Sequence, residues 1–125
     1  MTYLLKPERS MRRDALLLAE IVGAIERILE ISHAVNPAEV DGEPDQRDAL
    51  LWNFTVLGEA ANQLSTELKS QSPDLPWVDA SRTRNRIVHG YWSVDFDVLA
   101  AIARDDLPTF LVGVRSLLRE VLDAG

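Results

Sequence analysis

A chain of 125 residues with 46% hydrophobic and 26% charged residues has the length and composition of one globular domain, which excludes disordered, collagen-like and repeat proteins. The absence of cysteine excludes disulfides, thiolate metal sites and cysteine nucleophiles. Thirteen basic residues against twenty acidic ones give a net charge of −7, so a polyanion has to be bound by a local basic patch.

The N-terminal sequence lacks the order of basic, apolar and small residues that makes a secretory signal peptide. No apolar run reaches the roughly 18 residues that a membrane-spanning helix needs. We therefore expect a single domain over residues 1–125, with residues 1–9 as a flexible tail, located in the cytoplasm and away from membranes.

The first predicted helix begins at Ser10 and ends between His33 and Val35, with Ser10 or Asp14 as its N-cap. Apolar residues recur along it at spacings of three and four, at Leu17, Ile21, Ala24, Ile25, Ile28 and Ile31. The next residues are rich in proline, glycine and acids, which predicts a loop of about ten residues.

The second predicted helix begins near Pro44 or Asp45 and extends to Ser70 as the longest helix of the chain. Its apolar stripe consists of Leu50, Phe54, Leu57, Ala61, Leu64 and Leu68. Pro73 and Pro76 end this helix because proline disfavours helical continuation through the residue before it.

Three further helices are predicted, over residues 76–92, 94–107 and 107–125. The middle one is short and is capped by Ser93 or Asp95, and Pro108 suits the first turn of the last one. The sequence therefore predicts an all-α, up-and-down bundle of four main helices plus one short helix.

Three of the thirteen basic residues lie within five positions of the third helix, at Arg82, Arg84 and Arg86. Helical projection places Arg82, Asn85, Arg86 and His89 on one stripe. The opposite, packed side receives Trp77, Ala80, Ile87, Val88 and Tyr91. An unbroken helix also directs Arg84 toward the packed side, so its position depends on how the helix packs.

Arginines beside a histidine, without thiols or clustered acids, suit a phosphodiester better than a metal ion. Arginine binds phosphate oxygens, and histidine exchanges protons near neutral pH. RNA carries its own nucleophile in the 2′-hydroxyl, so its cleavage needs neither a metal nor a cofactor. RNA cleavage needs one group to remove a proton and one to donate a proton, and one histidine per chain does not readily serve both roles. This favours a twofold dimer, in which two histidines share one site. The alternative is structural, with His89 at a helix end and the arginines paired with acids.

Residues 84–91 of the third predicted helix, RNRIVHGY, contain the pattern R-x-x-x-x-H-x-Y. This motif resembles the signature of the HepT-like (DUF86) toxins of the HEPN superfamily, and we call the helix that carries it the motif helix. Further parts of the resemblance are the block Leu57 to Ala61, the pair Pro76 and Trp77, Trp92, Asp95, and the late Asp106 to Pro108. Together they cover the chain from about Arg13 to Leu122.

The resemblance implies a homodimeric, metal-independent ribonuclease that is the toxin of a type II toxin–antitoxin pair. It also implies an antitoxin that is a minimal nucleotidyltransferase of the MntA type. Arg84 and His89 are then the catalytic pair, and Asn85 is the polar residue after the motif arginine. Tyr91 is then the residue that the antitoxin modifies with AMP.

Arg82 and Arg86 are predicted as auxiliary contacts for RNA phosphates. The wider superfamily accepts R-x(4–6)-H spacings, so Arg82 competes with Arg84 for the main phosphate contact, and we rank Arg84 first. The alternative function is a non-catalytic helical module that binds a nucleotidyltransferase partner.

Other polar residues are weaker candidates. Glu59 and Asn62 face the site as charge partners for an arginine or serve packing and dimer contacts. We interpret His33 as a surface or capping residue, and Asp95 and Asp97 as capping acids rather than metal ligands. A basic N-terminal stretch is either a solvated tail, a contact for the antitoxin or an extension of the RNA track, and consists of Lys6, Arg9, Arg12 and Arg13.

Aromatic residues are predicted to be core or dimer contacts in most cases. This set contains Trp52, Phe54, Trp77, Trp92 and Phe96. Trp92 alone, next to the motif, is a candidate for stacking on a base.

Overall fold

The structure, a computed structural model, describes residues 7–124 and contains helices and no strand within that range. Its α-helices are α1 (Pro7–Ala34), α2 (Pro44–Gln63), α3 (Thr66–Gln71), α4 (Trp77–His89), α5 (Phe96–Asp105) and α6 (Leu107–Ala124). Two 3-10 segments lie at Pro37–Gly42 and Tyr91–Ser93. The predicted all-α bundle is confirmed, with α1, α2, α4 and α6 as its main helices and α5 as the short one. None of the described helices is long and apolar enough to cross a membrane.

Helix α1 begins at Pro7 rather than Ser10, so residues 7–9 of the predicted tail belong to the helix. Residues 1–6 of that tail, including Lys6, lie outside the described part of the chain. The expectation that Ser10 or Asp14 caps α1 is wrong, because both lie inside the helix, where Asp14 is only 2% exposed.

The second predicted helix is broken into α2 and α3, and the break makes α1 the longest helix at 28 residues against 20 for α2. Leu64 and Ser65 have extended backbone angles there. The buried Asp14 carboxylate accepts hydrogen bonds from the Ser65 amide at 3.0 Å and the Ser65 hydroxyl at 2.6 Å. Ser65 in turn accepts from the Leu68 amide and caps α3. A contact between α1 and the α2–α3 junction therefore fixes the break.

The segment between α1 and α2 is more ordered than the predicted loop. Asn36 caps its 3-10 turn by accepting a hydrogen bond from the Ala38 amide at 3.1 Å. Val40 is fully buried, and the turn packs against α5. The short connection thereby contributes to the core.

Helix α4 is shorter than predicted, since it ends at His89 and residues 91–93 form a separate 3-10 turn. Asp95 caps α5 by accepting from the Asp97 amide at 2.9 Å, which confirms the capping interpretation. Pro108 lies in the first turn of α6, as predicted.

Helix α2 packs against both α1 and α4, and α1 also packs against α6. The core between these helices is apolar, with fully buried side chains at Leu18, Ile21, Ile25, Ile28, Leu50, Phe54, Phe110 and Val114. Trp77 joins the start of α4 to α6 through an edge-on contact with Phe110, with ring centroids 5.4 Å apart. The indole N–H of Trp77 donates to the Ser72 carbonyl at 3.0 Å. The motif helix is thus anchored at its N-terminal end.

Helices α2 and α4 approach each other closely at Gly58. A Cβ at residue 58 would overlap the Cβ of Arg84 and lie 2.5 Å from the Ala80 carbonyl oxygen. Glycine is therefore required for steric reasons, although it costs helix stability in general.

We expect Gly58→Ala to lower the free energy of unfolding by about 1–3 kcal/mol, because the added methyl forces α2 and α4 apart. Gly23→Ala in α1 is the matched control, since a Cβ there meets no atom within 4 Å. The control should raise stability by about 0.5–1 kcal/mol through helix propensity. Urea denaturation measures both variants, and equal responses would refute the close approach.

Candidate active site

Helix α4 presents its basic residues as the projection predicts, with Trp77, Ala80 and Ile87 buried against the core. Two residues of the predicted packed side are instead half exposed, namely Val88 and Tyr91. Val88 lies in the last turn of α4, and Tyr91 follows the end of the helix at His89. The helix end therefore opens one side of the motif to solvent.

Arg84 lies against α2, as its position on the helix predicts. Its Nη2 atom is 3.2 Å from a carboxylate oxygen of Glu59, and its Nη1 atom donates to the Asn85 side-chain oxygen at 2.9 Å. Its stem packs beside Gly58, and its Nε atom is buried without a hydrogen-bond acceptor. The guanidinium group is therefore held between two side chains.

The Arg84–Glu59 pair continues into a chain of polar contacts that reaches α1. Glu59 accepts a hydrogen bond from the Gln63 amide at 2.7 Å, and Gln63 accepts one from Arg13 at 2.8 Å. The predicted charge partner Glu59 thus lies against an arginine, whereas Asn62 is exposed and lies outside this chain of contacts. Sequence reasoning missed Gln63 and placed Arg13 in a basic stretch without a contact.

His89 is the last residue of α4 and is exposed. Its imidazole makes no hydrogen bond or ion pair to any residue of the described chain. Asn85 lies one turn before it on the same exposed stripe. The Asn85 side-chain oxygen accepts a hydrogen bond from Arg84, so Asn85 contacts the arginine and not the histidine. Asn85 therefore connects the anchored arginine to the stripe that carries the histidine.

Arg82 and Arg86 face away from Arg84. Both line a groove of about 460 Å³ between α4 and α5. Arg82 lies 3.9 Å from Asp79, whereas Arg86 has no partner among residues 7–124. The arginine cluster of the sequence therefore divides into two sides of one helix, with His89 on the exposed stripe beside Arg82.

Tyr91 closes a second, smaller groove between α2 and the end of α4. Its hydroxyl donates a hydrogen bond to the Asp48 carboxylate at 3.2 Å. Leu51, Trp52 and Val88 line the same groove. Sequence reasoning missed Asp48, whose only local signal is its place near the start of α2.

The predictions for the aromatic residues are confirmed for some residues and not for others. Phe54 and Trp77 are buried in the core and Phe96 packs against it, as predicted. Trp52 is 65% exposed and Trp92 is 87% exposed, so neither is a core residue of this chain. His33 is exposed in the last turn of α1, which agrees with its interpretation as a surface residue. Within residues 7–124, no group of three or more acids and histidines is arranged to hold a metal ion.

The chain belongs to the Ribonuclease HepT-like family, whose sequence pattern matches residues 21–117. It is 27% identical over 92 residues to a protein of Thermococcus cleftensis described as "Probable ribonuclease HepT", covering 74% of this chain and 84% of the relative. A "Putative RNase" of Methanocaldococcus jannaschii is 23% identical over 99 residues, covering 79% and 91%. No solved structure gives a significant match.

We expect Glu59→Gln to free the Arg84 guanidinium and to speed the hydrogen exchange of its buried Nε–H group. The free energy of unfolding should change by less than about 1 kcal/mol, since the ion pair is partly exposed. Side-chain NMR of Arg84 measures the exchange. The matched control is Glu26→Gln, which removes a similarly exposed pair with Arg115 at 2.7 Å between α1 and α6. Slow exchange that persists in Glu59→Gln would show that Glu59 does not hold the arginine.

Proposed function

We propose that this protein is an endoribonuclease that cleaves RNA without a metal ion, with Arg84 and His89 as its catalytic residues. One observation carries the proposal: Arg84 is fixed between Glu59 and Asn85, while His89, one turn beyond Asn85, is exposed and has no partner in the described chain. Membership of the HepT-like ribonuclease family and the ribonuclease descriptions of the relatives support the same activity.

The chemistry uses the 2′-hydroxyl of RNA as the nucleophile. His89 takes the 2′-hydroxyl proton or returns one to the leaving 5′-oxygen, as the 2′-oxygen bonds to phosphorus and the bond to the 5′-oxygen breaks. The Arg84 guanidinium stabilises the charge that grows on the non-bridging phosphate oxygens. The side-chain NH₂ group of Asn85 is available as a further donor to these oxygens.

We further propose that two chains form the working enzyme. Proton removal and proton donation are two roles, and one chain offers one histidine at this site. The face of α2 next to Glu59 carries the exposed Trp52 and, one turn on, the partly buried Val56. We expect a second copy seated on this face to bring its own His89 close to Arg84 of the first.

The proposed partner is a minimal nucleotidyltransferase of the MntA type, which acts as antitoxin to this toxin in the cytoplasm. Tyr91 is half exposed, and its hydroxyl is bound to a carboxylate, Asp48, that can accept its proton. Attack of the tyrosine oxygen on the α-phosphorus of ATP joins AMP to Tyr91 and releases pyrophosphate. The added phosphate lies two residues beyond His89 and repels RNA.

We expect the protein to cleave single-stranded RNA in EDTA, and His89→Ala to slow cleavage by roughly 10²–10⁴-fold, the usual contribution of a general acid or base. His33→Ala replaces the other of the two histidines and should leave the rate unchanged. A gel assay with end-labelled RNA measures the rates. Light scattering of the same sample should give twice the 14.0 kDa chain mass.

Equal rates for the parent protein and His89→Ala would contradict the catalytic assignment. That result would favour a non-catalytic module that binds the nucleotidyltransferase.

We expect a minimal nucleotidyltransferase of the MntA type to add AMP to Tyr91 from ATP, and the product to lose RNA cleavage. Tyr91→Phe should prevent the addition, because it removes the attacking oxygen. Tyr3→Phe changes the only other tyrosine and serves as the control. Intact-protein mass spectrometry measures the added AMP, and modification that persists in Tyr91→Phe would refute the assignment.

A further inference from the structure

The groove between α4 and α5 lies on the side of α4 opposite Arg84, next to the exposed stripe that carries His89. Its volume of about 460 Å³ falls in the range of small-molecule sites. The apolar part of its lining consists of Ile87, Val94, Val98, Leu99 and Ile102. The space is thus large enough and apolar enough to accept an aromatic base.

Two arginines of α4, Arg82 and Arg86, stand on one rim of the groove. Arg82 is partly neutralised by Asp79 at 3.9 Å. Arg86 has no hydrogen bond or ion pair within the described residues. Its guanidinium is therefore free to bind a phosphate group.

The carboxylates of Asp79, Asp95 and Asp106 also line the groove, and they determine what can follow that phosphate. Asp79 is the partner of Arg82. Asp95 accepts the amide of Asp97 as the cap of α5, and Asp106 has no side-chain partner among residues 7–124. They are not arranged with other acids to hold a metal ion. Carboxylates repel further phosphates but accept hydrogen bonds from sugar hydroxyls and from the amino groups of bases. The lining therefore favours one phosphate followed by an uncharged nucleoside.

We propose that the α4–α5 groove binds a ribonucleoside phosphate, with the phosphate on Arg86 and the base over Val98 and Ile102. The hydroxyl or amino groups of the nucleoside face Asp106. Arg86 is three residues before His89, roughly 5 Å along the helix axis, so a strand that passes His89 reaches the groove. This inference rests on the proposed ribonuclease function where it takes the nucleotide to be part of an RNA strand. A free mononucleotide carries the same phosphate, sugar and base and is the other possible ligand.

The experiment titrates His89→Ala protein, which keeps the RNA intact, with a short single-stranded RNA and separately with AMP and UMP. Two-dimensional NMR reads the amide signals of Val94, Val98 and Ile102. We expect these signals to move with RNA. Movement with the mononucleotides as well shows that the groove binds free nucleotide, and movement with RNA alone shows that the strand delivers it.

Val98→Trp, made in the His89→Ala protein, fills the groove. It should weaken the binding of the single-stranded RNA at least roughly tenfold, which is the effect of losing one base contact. Val112→Trp adds the same side chain at an exposed position of α6 and is the matched control. Two results would overturn the proposal. One is that RNA leaves the groove signals of the His89→Ala protein unmoved, and the other is that the two tryptophan variants bind RNA with equal affinity.

This readout separates the two proposals because binding is measured without cleavage. If the groove signals move but the parent protein does not cut RNA, the nucleotide site is supported and the ribonuclease function is refuted. If cleavage depends on His89 but the groove signals do not move, the ribonuclease function is supported and the nucleotide site is refuted.

Discussion

The close approach of α2 and α4 at Gly58 determines where the motif helix lies and where its arginine points. With no side chain at residue 58, the backbone of α4 comes near enough to α2 for Arg84 to contact Glu59 on that helix. Arginine on the packed side of a helix is costly unless its charge is paired, and here the pairing is supplied by the helix that it packs against. The close spacing of α2 and α4 therefore allows the motif arginine to be paired and held in place. Without that pairing its charge would destabilise the packed side of α4.

The polar chain from Arg13 through Gln63 and Glu59 to Arg84 ties three helices together at one edge of the bundle. Each link is a partly exposed contact of modest strength. Their joint effect is to limit the positions that the guanidinium can adopt, while the neighbouring His89 has no such restraint. The cluster therefore combines a positioned guanidinium group with an exposed imidazole that no described residue holds.

The periodicity of apolar residues was enough to predict the main helices and the burial of Trp77, Ala80 and Ile87. Residue types at the helix starts predicted the Asp95 cap of α5 and the place of Pro108 in the first turn of α6. Periodicity failed where a contact joins residues far apart in sequence. The break before α3 depends on the bond between Asp14 and Ser65, which are 51 positions apart, and no local pattern reports it.

The site followed the same rule. The motif residues stand out in the sequence, whereas Gln63 and Asp48 acquire their roles only through folding. Helix α5 shows a consequence of this division. It packs chiefly against α6, α1 and the 3-10 turn at Pro37–Gly42, so it forms one wall of the α4–α5 groove from a part of the bundle that does not hold α4 in place. Substitutions on α5 can therefore alter the shape of this groove while Arg84 and His89 keep their positions.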